Sequence, residues 1–155
     1  MILLLACTNG PPCPEGFQAA DQRALEEIAR VELAPVCLGE LDHSVTDGQL
    51  HLVQAELEPA AQAARALHLQ QHLSTPVIDR GAACLERAVR LEARAWHLEL
   101  RLRERHDLAP LYPFESDWRE RPSEALIEAW LWDNPAGGPH VDALVDGYRA
   151  RCEDS

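Results

Sequence analysis

Two histidines spaced four residues apart have the clearest potential for chemistry in this sequence. His68 and His72, in the stretch His-Leu-Gln-Gln-His, lie one turn apart on the same face of a helix. This geometry lets one helix offer two imidazole nitrogens to a single metal ion. Glu92 follows 20 residues after His72, and its position on the next predicted helix turns its carboxylate toward the core. A buried carboxylate needs an arginine, a histidine or a metal ion as its partner, so the three residues predict a metal or polar site.

This pattern resembles the gluzincin metallopeptidases. In that family a His-Glu-x-x-His helix supplies two zinc ligands, and a glutamate on a following helix supplies the third. The resemblance covers about residues 49–100 and implies that His68, His72 and Glu92 bind zinc. It also implies that a strand over Leu50–Val53 takes the place of the family's strand that guides the peptide substrate.

The family's general base is the glutamate after the first histidine, and here that position is Leu69. Leucine neither orients a water molecule nor accepts its proton, and loss of a general base costs about 10² to 10⁴ in rate. We therefore expect a degenerate, non-catalytic site, with zinc as its cofactor if it binds one. Two alternatives stay open: a hydrogen-bonded polar patch without metal, and residual hydrolysis through another base such as Glu56 or Glu58.

The N-terminal sequence resembles the end of a bacterial lipoprotein signal peptide. An apolar run ends in Leu4-Leu5-Ala6-Cys7, and a stretch containing Gly10, Pro11 and Pro12 follows. The resemblance implies that residues 1–7 are a partial signal and that Cys7 is lipidated, anchoring the protein on the periplasmic side of the bacterial envelope. Only six residues precede Cys7 and none is basic, unlike a working export signal. A cytosolic protein with no upstream signal is the alternative.

Four further cysteines, Cys13, Cys37, Cys84 and Cys152, have spacings that match neither a zinc finger nor a Cys-x-x-Cys redox motif. An even number in an exported protein predicts two disulfides, and three connectivities are possible. The alternative is buried free thiols, and Cys84 suits it best because it lies on an apolar helical stripe.

The site must be positioned by a mainly α domain with a small β-hairpin, an α+β fold resembling a minimal zincin core. We expect a linker over 8–20 and one globular domain over 21–155. Capping residues and periodicity predict helices over 22–34, 59–73, 76–105, 124–132 and 141–151, with a loop over 109–121. The hairpin pairs Val36–Leu38 with Leu50–Val53 and includes the turn signal Thr46-Asp47-Gly48. Arginines of the third helix form a solvated face: Arg87, Arg90, Arg94, Arg101 and Arg105.

Composition narrows the partners. The chain has 155 residues, a net charge of −12 and 14 basic residues, all of them arginine. A nucleic-acid partner is therefore not expected, because binding to the phosphate backbone depends on clustered positive charge. The length is sufficient for a real hydrophobic core. The sequence thus predicts an exported, lipid-anchored, non-catalytic structural or binding module, whose protein partner it does not identify.

Overall fold

A computed structural model of the protein describes residues 11–40, 43–53, 58–75 and 81–153. These residues form six helices and a four-stranded sheet, so the mainly helical α+β class is confirmed. In chain order the elements are β1 (Gln18–Ala19), α1 (Gln22–Ala29), β2 (Val36–Gly39), β3 (Ser44–Thr46), β4 (Gln49–Val53), α2 (Pro59–Ser74), α3 (Gly81–Arg105), α4 (Glu115–Glu120), α5 (Glu124–Asp133) and α6 (Leu144–Glu153).

The sheet differs from the predicted hairpin. Its strand order is β1-β2-β4-β3, and β2 pairs with β4 in parallel rather than antiparallel. The turn at Asp47-Gly48 does form a two-residue hairpin, but the hairpin joins β3 to β4. Both turn residues have positive φ angles, 51° and 76°, as a type I′ turn requires. The turn was thus recognised correctly, whereas the partner of its strand was not.

Two predicted helix boundaries were wrong. α1 ends at Ala29 instead of residue 34, because Arg30 adopts the left-handed conformation with a φ of 58° and donates its N–H to the Glu26 carbonyl. The extended chain that follows is held by side chains, since the Gln70 side chain accepts a hydrogen bond from the Ala34 N–H. At the other end of the chain, α6 begins at Leu144 rather than 141, after the isolated bridge between Gly138 and Val141.

The remaining helices agree more closely with the sequence. Asp21 and Ser123 cap α1 and α5 with their side chains, and Pro59 occupies the first turn of α2. The predicted start of the third helix, 76–80, lies outside the described residues. The expected loop over 109–121 contains the short helix α4, which buries Trp118 completely. The α3 arginines expected to face solvent are exposed.

The hydrophobic residues form two separate clusters. One combines α1, the sheet and α2, around Leu25, Leu50 and Leu52. The other combines α3 with α4, α5 and α6, around Trp118, Ile127 and Leu131. Helices α2 and α3 pack against each other between these clusters. The functional candidates lie at that α2–α3 interface.

Two disulfides link Cys13 to Cys37 and Cys84 to Cys152. The first ties the segment before β1, within the expected linker, to strand β2. The second joins the first turn of α3 to the last turn of α6. Disulfides persist in oxidising compartments, so the pairing indicates a non-reducing environment.

Among the described residues, no helix combines the length and the apolar character needed to span a bilayer. Cys7 lies outside those residues.

A hydrogen bond between α3 and α4 makes the fold sensitive to pH. The buried Trp118 donates its indole Nε1–H to His97 Nδ1 at 3.0 Å, which requires that Nδ1 carry no proton. Burial lowers the pKa of His97 below its ordinary value of 6.5; the Glu124 carboxylate opposes this shift and the Arg101 cation adds to it. The fold therefore favours neutral His97.

We predict that wild-type protein loses stability relative to a His97→Gln variant as the pH falls below about 6.5. Below that value the unfolded chain binds a proton at His97 more readily than the folded chain does. The free energy of unfolding of the wild type therefore decreases as the pH falls. Urea denaturation of both proteins between about pH 8 and pH 5 measures the difference. Other titrating groups are common to the two proteins and cancel. Parallel pH profiles would contradict the prediction.

Candidate metal centre

The interface between α2 and α3 carries a stripe of polar side chains on each helix. On α2 the stripe consists of Arg65, His68 and His72, and on α3 it consists of Glu92, Trp96 and Glu99. Spacings of three, four and seven residues place each set on one helical face. Arg65 meets Glu99 and His72 meets Glu92, so the two helices run antiparallel.

The three predicted site residues are brought together. One potential ligand atom from each of His68, His72 and Glu92 lies within 4.8 Å of the others. His68 Nε2 is 3.3 Å from Glu92 Oε2, and His72 Nε2 is 3.2 Å from Glu92 Oε1. Ligand atoms around a tetrahedral zinc ion, at bond lengths of about 2.0–2.1 Å, are separated by about 3.3 Å. Both nitrogen–oxygen distances are close to this value, but they end on different oxygens of Glu92.

Tyr148 of α6 determines which carboxylate oxygen of Glu92 is available. Its hydroxyl donates a hydrogen bond to Oε1 at 2.6 Å. Oε2 is buried and has no aligned hydrogen-bond partner, although His68 Nε2 lies close to it. A buried carboxylate oxygen without an aligned donor is unfavourable, and a cation next to it would remove that cost. The donor set and this oxygen fit a metal ion.

A second carboxylate, Glu99, lies on the other side of the His68 ring. Its Oε2 is 3.0 Å from His68 Nδ1 and 3.4 Å from a guanidinium nitrogen of Arg65. Its Oε1 accepts the Tyr112 hydroxyl hydrogen bond at 2.7 Å. The Arg65 guanidinium in turn donates to the Tyr112 hydroxyl oxygen and lies over the Trp96 ring. Glu99 thus belongs to a continuous polar network inside the protein.

The charges in this network stabilise one another. Burial alone would raise the pKa of Glu92, but the adjacent imidazoles of His68 and His72 lower it well below its usual range. Burial likewise opposes ionisation of Glu99, but Arg65 and His68 lower its pKa to about 2. Burial disfavours protonation of His68, yet its two carboxylate neighbours raise its pKa. The two carboxylates thus favour the charged form of the ring that lies between them.

The two tyrosines act as hydrogen-bond donors in this network. Burial raises the pKa of Tyr112 far above its ordinary value, and the adjacent Glu99 carboxylate raises it further. Burial and the Glu92 carboxylate do the same for Tyr148. Both hydroxyls therefore keep their protons at neutral pH, and each holds one carboxylate oxygen.

The site reaches solvent on the side of His72 and Tyr148. The His68 and Glu92 side chains are only 5% and 4% exposed, whereas the His72 side chain is 20% exposed. Tyr148 is partly buried. The disulfide between Cys84 and Cys152 holds α6 against α3 and so supports Tyr148 at this position. His72 is therefore the most exposed of the three candidate ligands.

The residues expected to bear on catalysis lie elsewhere. Leu69 is buried in the hydrophobic cluster of α1, the sheet and α2. Glu58 precedes the first turn of α2, ten residues before His68 and hence about 15 Å away along the helix axis. Glu56 lies outside the described residues. Strand β4, which includes Leu50–Val53, lies between two strands: β2 pairs with residues 50–53 and β3 with residues 49–51.

Sequence reasoning missed four members of the network: Arg65, Glu99, Tyr112 and Tyr148. The signal for Glu99 was present, because it follows Glu92 by seven residues and therefore shares its helical face. The two tyrosines come from a loop and from another helix, so no local spacing pointed to them.

Comparison with protein-family models, curated proteins and solved structures finds no match.

We predict that Leu69→Glu, which restores the His-Glu-x-x-His order, destabilises the protein by several kcal/mol and creates no peptidase. The new carboxylate would enter the hydrophobic cluster instead of reaching the ligands. Urea denaturation and a zinc-supplemented peptide-hydrolysis assay test both parts. Gln71→Glu is the matched control, since it adds a carboxylate to a partly exposed position of the same helix. A stable Leu69→Glu protein that hydrolyses peptides would refute this prediction.

Proposed function

We propose that this chain is an exported bacterial lipoprotein whose domain binds one zinc ion through His68, His72 and Glu92 as a non-catalytic structural or binding module. The observation that carries the zinc site is the convergence of these three ligand groups from α2 and α3 within 4.8 Å. The availability of Glu92 Oε2 supports it. Imidazole and carboxylate ligands of this kind are common at zinc.

A structural or binding role is favoured over hydrolysis because both nearby carboxylates already have other partners or roles. Glu92 is a ligand candidate, and Glu99 is engaged by Arg65, Tyr112 and His68. Within the described part of the chain, Leu69 and Glu58 are both unsuited to act as the base, one by its side chain and the other by its distance. A hydrolase of the gluzincin type needs a base that activates water at the metal.

The proposed location rests on the cysteines. Two disulfides suit the oxidising periplasm, and the stretch ending in Cys7 is similar to a lipoprotein cleavage site. A lipid on Cys7 would anchor a domain that needs no spanning helix. The resemblance to a lipoprotein signal and that to gluzincins come from separate residues, so each half of the proposal has its own test.

For the metal, we expect the purified full chain to retain about one zinc ion after stripping with a chelator, loading with zinc chloride and removal of unbound metal. Loss of a direct ligand in His72→Ala should weaken zinc binding more than the roughly 10- to 100-fold typical of losing an outer partner. Elemental analysis gives the stoichiometry and competition with a chromophoric chelator gives the affinity. His72 is the best position to change because its side chain is partly exposed.

A matched control is the double variant His106→Ala/His140→Ala, which removes two exposed histidines away from the site. It should bind zinc as the wild type does. Zinc should also raise the melting temperature of the wild type and of this control, and not that of His72→Ala. Absence of zinc from the wild type, or equal binding by His72→Ala, would disprove the metal site and leave the polar network.

For the anchor, we express the protein in a bacterial host behind a complete export signal that continues into Leu4–Cys7, and we expect it to incorporate labelled palmitate and to partition into the detergent phase. The change Cys7→Ser should abolish both properties, because it removes the thiol that is modified. Cys13→Ser offers a control cysteine that the lipid pathway does not use. Wild-type protein that takes up no label and stays in the aqueous phase would contradict lipidation while leaving the zinc proposal intact.

A further inference from the structure

Glu99 is a buried carboxylate that the proposed zinc site does not itself require. Its side chain is 1% exposed, and a buried carboxylate is costly unless its partners compensate for lost hydration. Arg65 supplies the compensating charge. That pairing alone does not account for the position of the carboxylate, because one of its oxygens faces a histidine rather than only the arginine.

The orientation of Glu99 is fixed from the side away from the proposed ion. Tyr112 holds Oε1 through its hydroxyl, and Arg65 binds both Tyr112 and Glu99. The remaining oxygen, Oε2, faces His68 Nδ1 at 3.0 Å. Both atoms are buried, and neither has another aligned hydrogen-bond partner. At this distance each atom is the nearest available partner for the other.

We infer that Glu99 is a positioning residue, which accepts the Nδ1–H of His68 and thereby directs the lone pair of Nε2 toward the zinc ion. The inference rests on the zinc site proposed above. A neutral imidazole that carries its proton on Nδ1 presents an unprotonated Nε2. Zinc-bound histidines usually donate their second N–H to a carboxylate or carbonyl in this way, which fixes the ring orientation and strengthens the ligand.

A second buried glutamate shows what a purely structural arrangement looks like in the same protein. Glu115 is fully buried and contacts two arginines, Arg103 and Arg119, together with the Leu111 N–H. None of these partners is a histidine. Glu115→Gln therefore matches Glu99→Gln in chemistry and burial, but it changes no group that contacts a proposed ligand.

The experiment compares zinc affinity in the full-length wild type, Glu99→Gln and Glu115→Gln, measured by competition with a chelator. Glu99→Gln should weaken binding by roughly 10- to 100-fold, as loss of an outer partner does. The zinc affinity of Glu115→Gln should stay within about twofold of the wild-type affinity, although this variant also loses stability. Circular dichroism confirms that each variant is folded. If Glu99→Gln does not fold, Glu99→Asp keeps the charge opposite Arg65 while withdrawing the carboxylate, and should weaken binding in the same direction.

A second readout reports the hydrogen bond directly. In zinc-loaded wild type, ¹H–¹⁵N spectra should show a His68 Nδ1–H proton shifted strongly downfield, and Glu99→Gln should move it upfield. Unchanged affinity and an unchanged resonance in the folded variant would overturn the role of Glu99 while the zinc site stands. Failure of the wild type to bind zinc would instead remove the proposed site and this inference with it.

Discussion

Two carboxylates buried between α2 and α3 impose the constraint on which the rest of this structure depends. Ionised carboxylates lose most of their hydration when buried, so Glu92 and Glu99 are tolerable only with cations and donors in place. The compensating groups come from three other regions: α2, the segment before α4, and α6. Each of those regions must therefore pack in one particular position relative to α3. The polar stripe fixes the helix pairing in a way that apolar contacts alone would not.

The network has two similar halves around His68. In each half a tyrosine donates its hydroxyl hydrogen to one oxygen of a carboxylate, Tyr148 to Glu92 and Tyr112 to Glu99. In each half the second carboxylate oxygen faces the His68 ring. The halves differ in their surroundings: the Glu99 half is closed by Arg65, whereas the Glu92 half opens toward His72 and solvent. This difference separates the half that contains the candidate ligands Glu92 and His72 from the half that is enclosed by Arg65.

Local patterns predicted which three residues come together at the candidate site, but not the residues that surround them. The four-residue spacing of the histidines and the helical angle of Glu92 are properties of single helices, and the caps at Asp21 and Ser123 are equally local. The contributions of Tyr112 and Tyr148 depend on how distant segments return to α3, which no short window contains. The parallel pairing of β2 with β4 escaped prediction for the same reason. The Asp47-Gly48 turn specifies the hairpin between β3 and β4. It carries no information on which strand pairs with the other edge of β4.

Leu69 and the two histidines beside it in α2 face different parts of the protein. Consecutive helical residues differ by about 100° in direction, so one turn of α2 cannot give all its side chains to the same neighbour. Here His68 and His72 face α3, while Leu69 contributes to the cluster with α1 and the sheet. A charged base at position 69 would have to leave that cluster, which would expose apolar surface belonging to the first core. The absence of the base is therefore tied to how α2 is packed, and a single substitution would not reverse it.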